Sequence, residues 1–507
     1  MSTNNLSIVQ QPVNSADNVP VITNWNPLIG IMVFKDQNIN SLFFYKLGIE
    51  VYKGSSTSGT LIAKYKQRRN GFSSDVFNGK ARAFFDVRDV VNTQLVDTVY
   101  DQNLNGLPFS TLHKLGANTY TSGGLPVQRI FSVNGDASAG FTQLAQFFIR
   151  VFESYATSTS SAVTDFFPST PVTNSEFYIQ ATLPLFTPRS VGATIDSTYI
   201  QGRAFRQFNL QSTTTKFLSD VQVKNAIYGS GYYNNVSWDG TDGDYHTLAF
   251  LNGQTDFNSK PHKLVVTYFN GASQLTSTEI PNENAQGGAK PETTGTEVDT
   301  DAERLLYFGC GPGNLEGFLL LPGSVTTHRP SNAANNGWTH YKVKAIDSSS
   351  ADMSDEYIFV NKNKSCKGFK MRRLAWRNSL GCYDYLNFEL KSTQTIDITR
   401  NTFEKPIGIY NKSKYRYSDW DTGKEVRETS AVLKETLNTD YLTDDEVILV
   451  EKLLMSTRVY IVENVDTEFT QAVTITDSSF IRKNVINDRL VQYSVQIEYA
   501  NPLNTNT

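Results

Sequence analysis

Residues 43–52 read FFYKLGIEVY, and this segment carries the strongest fold signal in the chain. Every second residue from Phe43 to Val51 is large and apolar, and Lys46 and Glu50 stand between them. Successive side chains of a strand point to opposite faces, so this period of two predicts a β-strand with one buried face.

The same alternation recurs elsewhere in the chain. Residues 491–499 read VQYSVQIEY, in which apolar and polar side chains alternate strictly. Further strands are predicted at 61–65, 84–87, 146–155, 263–269, 341–345 and 357–360. Short strands at this spacing, separated by polar turns, predict a mainly β fold. We expect several antiparallel β-sandwich (immunoglobulin-like) domains with long loops and one short capped helix in the C-terminal domain.

Composition narrows the functional classes. A chain of 507 residues exceeds the size of one hydrophobic core, so two to four domains are expected. Its three cysteines include no Cys-x-x-Cys pair, which disfavours a disulfide scaffold or a zinc ribbon. A formal charge of −4 provides no general attraction for nucleic acid. The polar first residues and the lack of a long apolar stretch predict neither a secretion signal nor a membrane span.

Loop-rich segments divide the chain into four predicted parts. The polar stretch 1–23 is interpreted as an extended N-terminal arm that becomes ordered only against a partner. Residues 24–195 form a β-sandwich domain with an insertion at about 97–145. Residues 196–365 form an immunoglobulin-like sandwich with a long loop at 271–301, and residues 366–507 form a C-terminal β-rich domain.

That C-terminal domain contains a helix-start signal. Thr443 and Glu446 have the spacing of a capping box, and the apolar residues that follow have helical spacing. This pattern predicts a helix at about 443–455.

No residue pattern points to catalysis, a cofactor or a metal, and we expect none of these sites. The five histidines are scattered, without ligand spacing. In WDGTDGD (238–244) a polar turn is favoured over a calcium loop. Gly309–Gly313, GCGPG, is interpreted as a tight turn, because Pro312 argues against the helix start that a phosphate site needs.

A local basic run, NKNKSCKGFKMRR, covers residues 361–373. The favoured interpretation is a strand edge that lysines protect from unwanted pairing. Contact with an acidic neighbouring subunit or with DNA is the alternative.

Residues 366–388, CKGFKMRRLAWRNSLGCYDYLNF, resemble a pattern found in virion proteins of tailed bacteriophages, including marine and crAss-like phages. Trp376, Asn378, Gly381, Asp384 and Phe388 occupy the positions of that pattern. Physically the segment predicts a hairpin, with Trp376 and Phe388 packed inward and Asn378 and Gly381 shaping the turn. The resemblance extends to about half of the chain and implies a phage particle protein without catalytic residues.

The expected function is therefore structural. We expect a tail or neck adaptor, ring or fibre-attachment subunit in the virion, assembled in the host cytoplasm, that contacts other copies of itself and neighbouring virion proteins. The arm 1–23 and the segment 271–301 would lie against those chains. One alternative is a host-recognition protein that binds surface glycan through Tyr228–Tyr233 and Trp238. A polysaccharide-degrading enzyme with a carboxylate pair is disfavoured, because no pair stands out.

Overall fold

A computed structural model describes the fold over most of the predicted strands. The described residues are 6–10, 21–22, 30–35, 41–68, 81–95, 144–179, 213–221, 227–229, 231–236, 244–251, 261, 263–281, 305–314, 338–362, 369–411, 413–420, 423–443, 446–462, 470–477, 490–501 and 504–505. Nearly all of the predicted insertion at 97–145 lies outside them.

The chain divides into two compact units. The first unit holds residues 1–361 together with 378–384, and the second holds 362–377 and 385–507. The finer boundaries expected from the sequence, at 24, 196 and 366, stay predictions.

Strands dominate both units. The first unit contains β1 (Leu6–Gln10), β2 (Val21–Ile22), β3 (Gly30–Lys35), β4 (Phe43–Lys53), β5 (Thr60–Arg68), β6 (Ala81–Asp86), helix α1 (Arg88–Gln94), β7 (Leu144–Ala156), β8 (Thr164–Phe166), β9 (Thr173–Ile179), β10 (Tyr232–Val236), β11 (Thr247–Leu251), β12 (Lys263–Asn270), β13 (Ser273–Pro281), β14 (Leu305–Gly309), β15 (His340–Ile346) and β16 (Tyr357–Asn361).

The remaining elements follow in chain order. They are β17 (Arg372–Arg377), β18 (Tyr383–Phe388), β19 (Thr393–Glu404), β20 (Ile409–Asn411), β21 (Lys414–Arg416), β22 (Lys424–Asn438), β23 (Leu442–Thr443), helix α2 (Val447–Leu454), β24 (Val459–Val462), β25 (Thr470–Ile475), β26 (Leu490–Val491), β27 (Ser494–Tyr499) and β28 (Asn504–Thr505). The mainly β prediction is confirmed. No helix in the described part of the chain is long and apolar enough to cross a membrane.

Two sheets and α1 share the first core. One sheet has the order β1-β3-β6, and the other has the order β2-β9-β7-β4-β5 with β8 paired to β7. The predicted apolar row of β4 is buried from Tyr45 to Val51, and it packs with Val33 and Phe85 of the smaller sheet in one hydrophobic cluster. Phe43 lies outside this row and is exposed, because a bulge shifts the strand register between Phe43 and Lys46.

The opposite face of β4 is also covered, although its residues are polar or small. Gly48 lies under the Phe152 ring, so closely that a Cβ at position 48 would stand 2.3 Å from Phe152 Cζ. The Glu50 carboxylate accepts hydrogen bonds from Tyr52 Oη at 2.8 Å and Arg150 Nη2 at 2.6 Å, and it pairs with Lys64 Nζ at 2.8 Å. These donors lower the pKa of Glu50 against the opposing effect of burial.

Two expectations for loop segments need correction. Residues 6–10 are not an arm ordered only by a partner, since β1 pairs antiparallel with β3 and Leu6 is buried in the core. Residues 21–22 likewise pair with β9. The segment 271–301 begins with β13, which forms a hairpin with β12. Local polarity concealed these strands, because backbone hydrogen bonds to a neighbouring strand do not depend on apolar side chains. Residues 282–301 lie outside the described residues.

The second half of the first unit contains a five-stranded sheet, β10-β16-β15-β12-β13, and a pair, β11-β14. All pairs in the larger sheet are antiparallel except β10 with β16. Its core is aromatic: Tyr341 stacks on Phe359 at 4.7 Å, and Tyr268 meets Trp338 edge to face at 5.3 Å. An immunoglobulin-like topology stays a prediction for this region.

The second unit is built on an eight-stranded sheet with the order β18-β17-β24-β25-β27-β22-β19, in which β28 also pairs with β22. The alternation predicted for residues 491–499 is confirmed by the burial of Val491, Tyr493, Val495 and Ile497, although the segment forms two short strands, β26 and β27. Strand β19 is an edge of this sheet.

Candidate assembly interface

The residues of the phage-like pattern form the predicted hairpin. Trp376 and Phe388 are buried in β17 and β18. At the turn, Asn378 Oδ1 accepts hydrogen bonds from the backbone N–H groups of Leu380 at 3.1 Å and Cys382 at 2.9 Å. Gly381 has φ +86°, a backbone conformation that glycine adopts without strain. Inward packing and turn formation are therefore confirmed for this segment.

Asp384 belongs to a cluster that the sequence did not reveal. We define the carboxylate cluster as Ser219, Asp220, Asn378, Ser379 and Asp384, all in the first unit. Ser219 Oγ donates to Asp384 Oδ1 at 2.6 Å, and the Asp220 N–H donates to Asp384 Oδ2 at 2.7 Å. Ser379 donates to Asp220 through its backbone N–H at 2.9 Å and its Oγ at 2.5 Å. The cluster thereby ties the turn to a segment about 160 residues earlier.

The chemistry of this cluster favours a structural role. Asp384 is 0% exposed and Asp220 is 5% exposed, and donors engage the oxygens of both carboxylates. Burial and, to a smaller extent, the nearby Asp220 charge raise the pKa of Asp384 to about 7, against the lowering effect of the donors. A glycoside-cleaving carboxylate pair must reach its substrate, and these two residues are closed to it.

The capping box forms its hydrogen bonds but not at the predicted helix boundary. The Glu446 side chain accepts a hydrogen bond from the Thr443 N–H at 2.8 Å, and Thr443 Oγ1 accepts one from the Glu446 N–H at 3.3 Å. Thr443 lies in β23, and α2 begins at Val447 rather than near 443. The reciprocal bonds close the turn that leads into the helix. The N-cap residue of helix α1 makes no side-chain hydrogen bond, so no capping motif in the sequence predicted this helix.

The basic run is not a uniformly exposed strand edge. Arg372 and Arg373 are buried, and Lys362 and Lys370 are the other basic residues of the run that the structure describes. Arg372 Nε pairs with Glu435 at 3.1 Å. Arg373 Nη1 donates to Asn387 Oδ1 at 2.7 Å. The edge interpretation is wrong for these two arginines, because each has a buried polar partner within the second unit.

Residues 393–438 include an exposed hairpin of β19 and β22, and from here on the arm means this hairpin and not the N-terminal segment 1–23. Strands β19 and β22 pair from Thr393–Thr436 to Glu404–Lys424. On its other side, β22 pairs with β27 over 434–438 and with β28 at 430–431. Among the described strands, only β19 pairs with residues 424–429. At about 3.3 Å per residue, the arm continues about 20 Å past the last of these pairs.

One face of the arm is an exposed apolar stripe. The register places Ile396 opposite Leu433 and Ile398 opposite Ala431. On the same face, the polar pair of Arg400 and Thr429 separates these residues from Val426, which lies opposite Thr402. The exposed fractions are 53% for Ile396, 49% for Ile398 and 51% for Val426. All twelve residues of β19 are exposed. A stripe of this kind on a regular strand is typical of an interaction surface.

The far end of the arm is rich in exposed aromatic side chains. Residues 405–423 connect β19 to β22 through the short pair β20-β21. Tyr415, Tyr417 and Trp420 are exposed there, and Trp420 reaches 83%. We call these three residues the tip aromatics. Exposed aromatics are enriched in binding surfaces because they offer large rigid contact areas.

The segment proposed for glycan binding has a different environment. Tyr232 is buried and packs against Tyr357 at 5.1 Å. Tyr228 is half-buried and lies against the His340 ring at 4.3 Å. Trp238, like Asp239 and Asp242, lies outside the described residues. The buried Tyr232 ring has no open face for a sugar.

The glycine-rich segment forms the predicted turn. The Gly313 N–H donates to Asp244 O at 3.1 Å, and Asn314 Oδ1 accepts from the His246 N–H at 2.7 Å. Within the described residues, no group of three or more His, Cys, Asp and Glu side chains is placed to hold a metal ion.

The sequence analysis predicted neither the arm nor the part of the carboxylate cluster that Asp220 provides. The sequence feature that could have predicted the arm is the polar, loop-like stretch around Trp420, which lies between the segments that form β19 and β22. For Asp220 there was no signal, since its partners are distant in sequence. No protein-family model matches the chain, and the comparison with curated proteins finds no match.

Proposed function

We propose that this protein is a structural component of a tailed phage particle. It acts as a tail or neck adaptor, ring or fibre-attachment subunit through repeated contacts with its own copies and with neighbouring virion proteins. The observation that carries the proposal is the arm, which exposes an apolar stripe and the tip aromatics. The resemblance of residues 366–388 to a pattern of tailed-phage virion proteins is the reason for proposing a phage particle rather than another assembly.

The arm suits assembly because its surface is too apolar to be explained by folding. Its exposed isoleucines and aromatics contribute little to the core of the second unit, and each leaves apolar area in water. Burying this surface between subunits removes the apolar area from water and so stabilises the assembly. Such a role needs no catalytic residues. The eight-stranded sheet of the second unit then supports the arm as its contact element.

Purified particles of the source virus provide the test. Mass spectrometry should detect the chain at many copies per particle, and a cryo-electron microscopy map should place the arm against another subunit. Absence of the chain from purified particles would refute the proposal. A particle location in which the arm is fully solvated would leave the particle class but remove the adaptor role.

The tip aromatics support one second candidate, glycan binding in host recognition. Aromatic rings pack against sugar faces, and Trp420 is the most exposed of the three. A glycan array probed with the purified protein tests this. Specific binding that Trp420→Ala abolishes would favour the second candidate, whereas binding unchanged in that variant would exclude the tip.

A further inference from the structure

We infer that β19 pairs with β19 of a second copy, antiparallel and centred on Ile398, so that two eight-stranded sheets join across a two-fold axis. This inference rests on the proposed function, since it names the surface through which copies contact each other. Alternate residues of β19 direct their N–H and C=O groups away from β22. No described strand covers that edge, and an open edge of this length invites another strand.

Strand β19 lacks the usual protection of an edge. It contains no lysine and no proline, and all twelve of its residues are exposed. The bulge in the pair is on β22, where Arg427 is the extra residue between the partners of Asn401 and Thr402. Strand β19 itself is therefore regular along its length. A bulge or a proline would have blocked pairing, and neither stands on β19. Its charged residues, Asp397, Arg400 and Glu404, restrict pairing to registers that keep like charges apart.

The length and the apolar pattern select the register. In an antiparallel two-fold pair, residues opposite each other share one face, so the axis passes between the strands, midway between two copies of the same residue. Centring on Ile398 places Thr393 opposite Phe403 and uses eleven of the twelve residues of β19. Ile398 then meets its own copy, and Ile396 of each strand lies diagonal to Ile398 of the other copy and opposite its Arg400.

The charges agree with the same register. Asp397 would lie opposite Thr399, and Arg400 opposite Ile396, so no like charges stand directly opposite each other. Centring on Asp397 or Arg400 would oppose identical charges. The Asp397 carboxylate already pairs with Lys434 Nζ at 2.8 Å within its own arm, which weakens its repulsion from the second Asp397 across the diagonal.

A charge-swap experiment tests both pairing and register. In sedimentation equilibrium the full-length protein should self-associate at micromolar concentrations. Ile398→Lys and Ile398→Asp should each weaken association on the order of tenfold or more, because each places two like charges opposite each other and removes the isoleucine pair. An equimolar mixture of the two variants should associate again, since opposite charges then meet at the axis.

Leu61→Lys is the matched control. Leu61 is 49% exposed, as Ile398 is, and it lies on β5, the edge strand of a different sheet in the first unit. This variant should associate like the wild type, and all variants should keep the wild-type melting temperature. A monomeric wild type, or a mixture that stays monomeric, would overturn the inference. Either result leaves the particle test of the proposed function untouched.

Discussion

Replacing Trp376 tests how the hairpin stabilises the second unit. The indole is fully buried in β17, whose residues 374–376 pair with β24. A buried aromatic covers about 150–250 Å² of apolar surface. At about 25 cal/mol per Å², this burial contributes about 4–6 kcal/mol. Trp376→Ala should therefore lower the free energy of unfolding by about 3–5 kcal/mol, a large part of a domain's stability.

A second substitution separates packing from hydrogen bonding. The Trp376 Nε1–H has no acceptor among the described residues. An unmet buried donor costs about 1–3 kcal/mol, and Trp376→Phe removes that donor while it keeps a ring in the core. The loss in Trp376→Phe should therefore be no more than about 2 kcal/mol.

Urea unfolding followed by circular dichroism measures both variants, with separate transitions fitted where the two units unfold independently. Trp420→Ala is the control, since its indole is exposed and its loss should leave the midpoint unchanged. A wild-type midpoint for Trp376→Ala would refute the burial argument. A Phe variant as unstable as the Ala variant would refute the argument from the unmet donor.

Three further predictions concern polar groups. Burial raises the pKa of Asp384 to about 7, so the folded protein holds that proton more tightly than the unfolded chain. The stabilising contribution of the proton is full below the ordinary pKa near 3.8 and is lost as pH rises through about 7. The melting temperature of Asp384→Asn should therefore depend less on pH over that range than the melting temperature of the wild type. Thr443→Ala removes the acceptor for the Glu446 N–H and should cost about 1 kcal/mol in urea unfolding, and an unchanged midpoint would contradict this role. Arg372→Met leaves the buried Glu435 carboxylate without its cation and should cost about 3 kcal/mol at neutral pH in the same assay, whereas a loss near zero would show that the remaining donors suffice.

The carboxylate cluster shows how far sequence reasoning reached at the candidate site. The turn residues Asn378 and Gly381 were predictable, because a turn depends on hydrogen bonds and backbone angles within a few residues. Asp384 could be singled out from the phage-like pattern, but its environment could not. Its donors Ser219 and the Asp220 N–H come from a segment more than 160 residues away in sequence. That environment sets its pKa and its role.

The local pattern of the chain determined that β4 and residues 494–499 are strands, since their side-chain alternation matches the two faces of a sheet. It also determined the reciprocal bonds between Thr443 and Glu446, which span three residues. Only the tertiary structure decided which alternating faces are covered. Strand β19 is exposed on both faces, whereas β18 at the other edge of the same sheet is buried along its whole length. Burial depends on distant segments, so local periodicity can predict a face but not what packs against it.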